Sequence, residues 1–289
     1  MTTIHSATEA AVRTACRQLG VPTTGLTLLR SHATNVYLLP DAHAVARVRP
    51  AAEATSVTRT FRLQQWLNSQ GYPAVEPLAH PVHATPFIVT FWVYYPQQST
   101  APPASALGGL LRELHQLPQP PVDLPPYEPL ASLSQAVGMS SVLGAGDRSW
   151  LTEAIDDTLY AYRNLDFPLG TGFIHGDAYP GNTLWDGTRV RLGDWDEAST
   201  GPRELDLANT IQGARFGRTA EQIGEFTNQY GYDPTDWPGL PVLVRMRDLH
   251  TLSSFIRRAD QDDNAAADEL NRRLSTLQTG DRAARWDRH

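Results

Sequence analysis

The order of apolar and polar positions divides the chain into an opening stretch of mixed periods and a longer, mostly helical remainder. Residues 6–20 place Val12, Cys16 and Leu19 on one face, with Ser6 and Glu9 as a capping box and Gly20 as the stop, which predicts a short amphipathic helix. Cys16 falls on the apolar face of that helix, so burial rather than reactivity is expected of it. Over 26–48 the period shortens. Three runs rich in Leu, Val, Ala and Tyr (26–29, 35–39, 44–48), separated by polar breaks, predict three antiparallel strands. Helical spacing returns over 55–70 through Phe61, Leu63, Trp66 and Leu67 and stops at Gly71, and 86–95 reads as an apolar, aromatic strand.

A polar, proline-bearing connector at 96–103 then predicts a boundary, with an N-terminal lobe over 1–95 and a C-terminal lobe over 96–289. Beyond it Leu107, Leu110, Leu111, Leu114 and Leu117 form one helical face, and Leu151, Ile155, Leu159 and Tyr162 another. Residues 118–146, dense in Pro, Ser and Gly, predict an irregular excursion. From Glu221 onward at least three amphipathic helices are expected, the clearest over 242–256 and 265–277.

Composition narrows the functional classes. The 289 residues carry 24 basic and 31 acidic side chains, a net charge of −7, with no basic stripe, which excludes a nucleic-acid partner. The longest apolar runs, such as 86–93, fall far short of the roughly 20 residues of a membrane helix, so no membrane partner is expected. One cysteine and no charged, apolar leader point to the reducing cytoplasm. All 24 basic residues are Arg. Without lysine, Schiff-base chemistry and a Walker A lysine are both excluded.

The chemistry concentrates in 173–198. Residues 183–185 and 189–192 are strand candidates joined through Asp186-Gly187, a strong hairpin signal. A hairpin folds its ends together, which sets Asn182 beside Asp194, with Asp177 on the loop just before them. Two protein oxygens plus phosphate and water oxygens are how Mg²⁺ is usually held at an ATP site. Phosphoryl transfer further needs a clamp on the phosphates and a carboxylate that orients the nucleophile, roles that Asp177, Asn182 and Asp194 fit.

His175-Gly176-Asp177, then Asn182, then an apolar strand ending in Asp194-Trp195-Asp196 resemble the catalytic signature of the aminoglycoside phosphotransferase family, small-molecule kinases with a protein-kinase-like fold. Residues 201–208, 107–115 and 66–73 resemble further segments of that family, so the similarity covers most of 25–278, with the tight motif at 173–208. The resemblance implies an α+β, bilobal, protein-kinase-like fold: an N-lobe of five-stranded antiparallel sheet plus helix, and a mainly helical C-lobe. It implies a kinase that uses Mg²⁺ and ATP or GTP to phosphorylate a hydroxyl of a small molecule. Asp177 would be the catalytic base, and Asn182 and Asp194 the metal ligands. Arg47 takes the place of the usual phosphate-pairing lysine, which a guanidinium fork can do with different geometry. Thr60 stands where that cation's acidic partner is expected, leaving Glu53 as a substitute. The hydroxyls of Ser31 and Thr34, in the glycine-free loop 31–35, would cover the phosphates with backbone amides. The backbone of Phe91, Trp92, Val93 and Tyr94 would meet the adenine. His175 and Asp206 would brace the loop, and Asp196 and Glu197 could reach a second metal position or the substrate but are expected as solvated carboxylates.

The acceptor implied by the family name is an aminoglycoside or related antibiotic. Asp260, Asp262, Asp263, Asp268 and Glu269 could meet its ammonium groups, although their interleaving with Arg257, Arg258, Arg272 and Arg273 is the ordinary pattern of a solvated helix. A kinase of a sugar, an amino alcohol or another metabolite is the alternative on the same fold. A nucleotide-binding pseudokinase, suggested by the missing lysine, is the alternative of another class.

Overall fold

A computed structural model of the chain describes residues 2–31, 34–97 and 100–287. Its elements run α1 (Thr2–Leu19), β1 (Thr27–Ser31), β2 (Asn35–Leu39), β3 (Ala44–Pro50), α2 (Ala54–Ser69), β4 (Pro77–Ala84), β5 (Phe87–Val93) and α3 (Ala104–Leu114). They continue as α4 (Ala131–Met139), α5 (Ala145–Arg163), β6 (Thr171–Ile174), β7 (Thr183–Trp185), β8 (Val190–Leu192), β9 (Ser199–Pro202) and α6 (Glu204–Ile211). The chain closes with α7 (Ala220–Tyr230), α8 (Leu240–His250), α9 (Leu252–Ala259) and α10 (Asn264–Thr279). It divides into two compact units, Met1–Pro125 with Pro180–Ala198, and Pro126–Tyr179 with Ser199–His289.

The first unit is built on an antiparallel sheet of order β1-β2-β3-β5-β4. Strand side chains alternate between faces. On β3 this sends Ala44, Ala46 and Val48 into the core shared with Val12, Ala15 and Cys16 of α1. Val45, Arg47 and Arg49 therefore share the opposite face, where Val45 packs against Phe61, Val75 and Trp92. Cys16 is fully buried as expected, and burial pushes its thiol up to about 11 against the pull of Arg13. The helix it sits on begins at Thr2, upstream of the expected cap at Ser6. Thr8, within the helix, meets the Tyr37 hydroxyl at 2.7 Å, which ties this part of α1 to β2. Among the strands, β4 left no alternating trace, because Pro77 and Pro81 and two histidines interrupt it and its pairing with β5 slips twice.

The β7–β8 hairpin turns at Asp186-Gly187 as read, with Thr183 opposite Leu192. It is held in the first unit by Leu192 N–H to Pro73 O at 2.8 Å and Val75 N–H to Leu192 O at 3.0 Å. Buried Arg191 reinforces the seam, reaching Ala74 O, Asp186 and Glu76 at 3.0, 2.6 and 2.6 Å.

In the second unit the apolar faces of α4, α5, α8, α9 and α10 enclose one core with Leu133, Leu151, Ile155, Leu243, Leu249, Phe255 and Leu270. Two expectations change there. The excursion at 118–146 contains α4, whose Leu133, Ala136 and Val137 are buried in that core, so tertiary packing supplies what its weak helical pattern does not. The helix expected over 242–256 is two, α8 and α9, with Thr251 at the junction. Among the described residues no helix is long and apolar enough to cross a membrane.

Candidate active site

In the first unit, Asn182 ends a single 3-10 turn before β7 and Asp194 follows β8 by two residues, so hairpin pairing sets them at the same open end. The N–H of Gly193 closes that end onto Asn182 O at 2.9 Å, and a Cβ at 193 would stand only 3.0 Å from Val75. Asp194 itself has φ 59° and ψ 61°, a left-handed conformation that a non-glycine residue adopts at a cost. The next residue anchors it: Trp195 is buried, donates its indole N–H to Leu192 O at 3.0 Å and meets the Tyr72 ring edge-on at 5.8 Å.

Arg47 reaches this end from β3. Its guanidinium bonds Asp194 at 3.3 Å and Asp196 at 3.0 Å, and Arg49 bonds Asp196 at 2.7 Å. Glu53 is not the partner of Arg47; it pairs with Arg49 at 2.5 Å. One residue before the start of α2, it sits beside the end of β3, while Arg47 lies further along the strand. Asp196, expected in solvent, pairs instead with both strand arginines. Burial alone would lower the basicity of Arg49, but the charges of Asp196 and Glu53 outweigh it and hold that group above its ordinary value.

A cavity of about 290 Å³ opens here, lined among others by Arg47, Trp92, Val93, Tyr94, Asn182 and Asp194. It brings together six of the residues singled out from sequence. Phe91 does not line it, being buried on the α1 side of the sheet. Nor do Ser31, whose hydroxyl is bonded to His5 at 2.9 Å, and buried Thr34. His32 and Ala33 of the same loop lie outside the described residues. The N–H groups of Val93 and Tyr94 are spent on Glu76 O and His43 O, both at 2.9 Å. Asn182 and Asp194 offer the cavity one amide oxygen and one carboxylate, which suits an ion that takes its remaining ligands from phosphates and water. Among the described residues no group of three or more His, Cys, Asp or Glu forms a protein cage for a metal.

In the second unit, Asp177 follows β6 on a tight loop. Buried Asp206 accepts the N–H groups of His175 and Gly176, both at 2.8 Å, and so acts as the expected brace. Asn209 donates to Gly176 O at 3.1 Å and Thr210 to Ala178 O at 3.2 Å. Spacings of three and four residues put Asp206, Asn209 and Thr210 on one face of α6. His175 is fully buried, and its Nδ1 accepts the Asp177 N–H at 3.3 Å. The Asp177 carboxylate is ion-paired with Arg247 of α8. His250, one turn on, is pushed down to about 4, by burial first and then by Arg247 and Arg257, with Asp177 pulling the other way. Sequence reading passed over Arg247, Asn209 and Thr210. The only trace of Arg247 is a charge flanked by the apolar positions Met246 and Leu249 in an amphipathic helix.

Comparison with known proteins follows the same outline. The model of the phosphotransferase enzyme family, APH, matches residues 25–243. The chain belongs to that family. Accordingly, the chain is a phosphotransferase with a kinase-like fold. Among solved structures it is similar to an amicoumacin kinase in complex with AMP-PNP, Ca²⁺ and Ami, with TM-score 0.75, 12% identity and 98% of each chain covered. A choline/ethanolamine kinase family protein from Mesorhizobium loti gives TM-score 0.67 and 19% identity over 95% of each chain. An aminoglycoside phosphotransferase from Streptomyces rimosus, in complex with ADP and streptomycin, gives 0.62 and 18% over 83% of this chain and 98% of its own. No curated protein matches the sequence.

Proposed function

We propose that this phosphotransferase moves the γ-phosphoryl group of ATP or GTP onto a hydroxyl of a small molecule, with Asp177 as the base. Arg47 clamps the phosphates, Asn182 and Asp194 hold Mg²⁺, and the nucleobase lies against Trp92, Val93 and Tyr94. Ser31, Thr34 and Phe91 take no part in this reading. What supports it above all is the meeting of Arg47, Asn182 and Asp194 at one cavity of the first unit.

Asp177 orients the acceptor hydroxyl and takes its proton as the new O–P bond forms and the bond to the leaving nucleoside diphosphate breaks. A loop tied by four hydrogen bonds to α6 presents that carboxylate without having to be ordered first, which is how positioning lowers a barrier. Arg47 lies within reach of the charge that grows on the transferred group, where a fixed cation is most effective. Bound Mg²⁺ would neutralise phosphate charge.

The acceptors named with the solved neighbours range from streptomycin to choline or ethanolamine, so an antibiotic or a small metabolic alcohol is the acceptor class proposed here. Release of ADP or GDP is expected to require Mg²⁺ and an acceptor, and Asp177→Asn should lower turnover 10²–10⁴-fold with nucleotide still bound. A loss below about tenfold would remove Asp177 from the role of base. A pseudokinase would bind nucleotide and show no acceptor-dependent release at all.

A further inference from the structure

We propose that the acceptor carries an anionic group, a carboxylate or a phosphate, and that Arg247 binds it beside Asp177. This rests on Asp177 being the base of the proposed kinase. Arg247 places its guanidinium directly on the Asp177 carboxylate, and the two side chains remain 18% and 24% exposed, so both reach solvent at one place. The Asp177 loop already has its own four bonds to α6, so Arg247 is not needed to place it. The arginine is therefore better explained by what it can offer a ligand. Its bond to Asp177 uses one terminal nitrogen of a fork whose geometry matches a carboxylate or phosphate.

The surroundings point the same way. Arg257 stands close enough to act, with Arg247, on His250. At the Arg247 guanidinium an ammonium group would be repelled, and an anion attracted. Three of the acids that could have received a cationic acceptor are engaged elsewhere within the unit. Asp260 accepts the N–H groups of Ser141 and Val142, Asp263 caps α10 and pairs with Arg258, and buried Glu269 holds Arg272 and Arg273. Asp263 and Glu269 are thus neutralised by neighbouring arginines. When an anionic acceptor arrives, Arg247 exchanges part of its bond to Asp177 for the ligand, which leaves the carboxylate to the hydroxyl.

The test pairs acceptors that share a hydroxyl and differ in charge: glycerate against glyceramide and glycerol 3-phosphate against glycerol, with ethanolamine and streptomycin as cations. With full-length protein and MgATP or MgGTP, the anionic member of one pair should have at least tenfold higher kcat/KM, and the pair that responds tells carboxylate from phosphate. Arg247→Gln should raise the KM of that acceptor tenfold or more and leave the nucleotide KM unchanged, with Arg247→Lys in between. Preference for ethanolamine or streptomycin, or a fall in kcat alone in Arg247→Gln, overturns the proposal and leaves the kinase reading standing. Should none of the panel be phosphorylated, saturable binding of glycerate or glycerol 3-phosphate to Asp177→Asn protein decides. Binding lost on adding Arg247→Gln supports the proposal, and no such binding overturns it. Failure to bind nucleotide removes the kinase reading itself and the proposal with it.

Discussion

Asp177 and Asp194 are each paired with an arginine, yet they are held by different means. The loop of Asp177 is fixed through its backbone, by two N–H groups on Asp206 and two carbonyls on Asn209 and Thr210. Asp194 has a left-handed backbone pinned by the buried ring of Trp195, and its carboxylate, 37% exposed, is held by Arg47. A base that must meet one hydroxyl gains from a preset position. A carboxylate that would share a cation with phosphates gains from a partner it can exchange, and an arginine shared with Asp196 is such a partner.

The comparison can be broken most forcefully at α6. Asp206→Ala leaves two buried N–H groups without an acceptor and should cost about 3 kcal/mol of stability, read as a lowered denaturant midpoint. At temperatures where the variant is folded, turnover should still fall more than tenfold; normal turnover would show that Asp177 needs no brace. Asp194→Asn should leave stability almost unchanged and raise the Mg²⁺ concentration for half-maximal activity about tenfold or more, by loss of a carboxylate ligand. An unchanged Mg²⁺ requirement would take Asp194 out of the metal site. Smaller still, Arg47→Gln should raise the nucleotide KM several-fold and Arg47→Lys less, because one cation is restored without its fork.

Acidification supplies the mildest test. Burial would raise Asp186, but the N–H groups of Arg189 and Thr188, the Thr188 hydroxyl and the Arg191 guanidinium outweigh it and hold that carboxyl well below the usual range. A group depressed in the folded state contributes stability above its unfolded value, near pH 4, and loses it as the pH falls toward the folded one. The urea midpoint should decline below about pH 4, and Asp186→Asn should flatten that decline. Asp186 lies at the turn of the β7–β8 hairpin, opposite the open end that carries Asn182 and Asp194, so with the hairpin folded this variant should leave the kinetic roles of Asp177 and Asp194 intact.

Much of the candidate site was legible because it is local. His175-Gly176-Asp177, Asn182, the Asp186-Gly187 turn and Asp194 lie within about 20 residues, and a two-stranded ladder has only one way to bring its ends together. Strand alternation likewise put Arg47 on a definite face of β3. Asp196 was misjudged because its partners stand some 147 and 149 positions away, and Arg247 was passed over because it meets Asp177 across 70. Along 91–94, alternation turns the Phe91 side chain to the α1 core while Trp92 lines the cavity.

By itself, then, the sequence determined the class of chemistry, the identity of the carboxylates and amide, and the fact that every side-chain cation at hand is a guanidinium, since those depend on residue type and short spacing. The tertiary structure alone decided which charge meets which. Glu53 went to Arg49, Asp196 to both strand arginines, Asp263 and Glu269 to neighbouring arginines, Asp260 to loop amides, and Arg247 to Asp177. The reason is physical: a partly buried charge needs compensation from whatever the fold packs beside it, and packing partners are chosen by the apolar faces of whole helices and strands, not by the charged residues themselves.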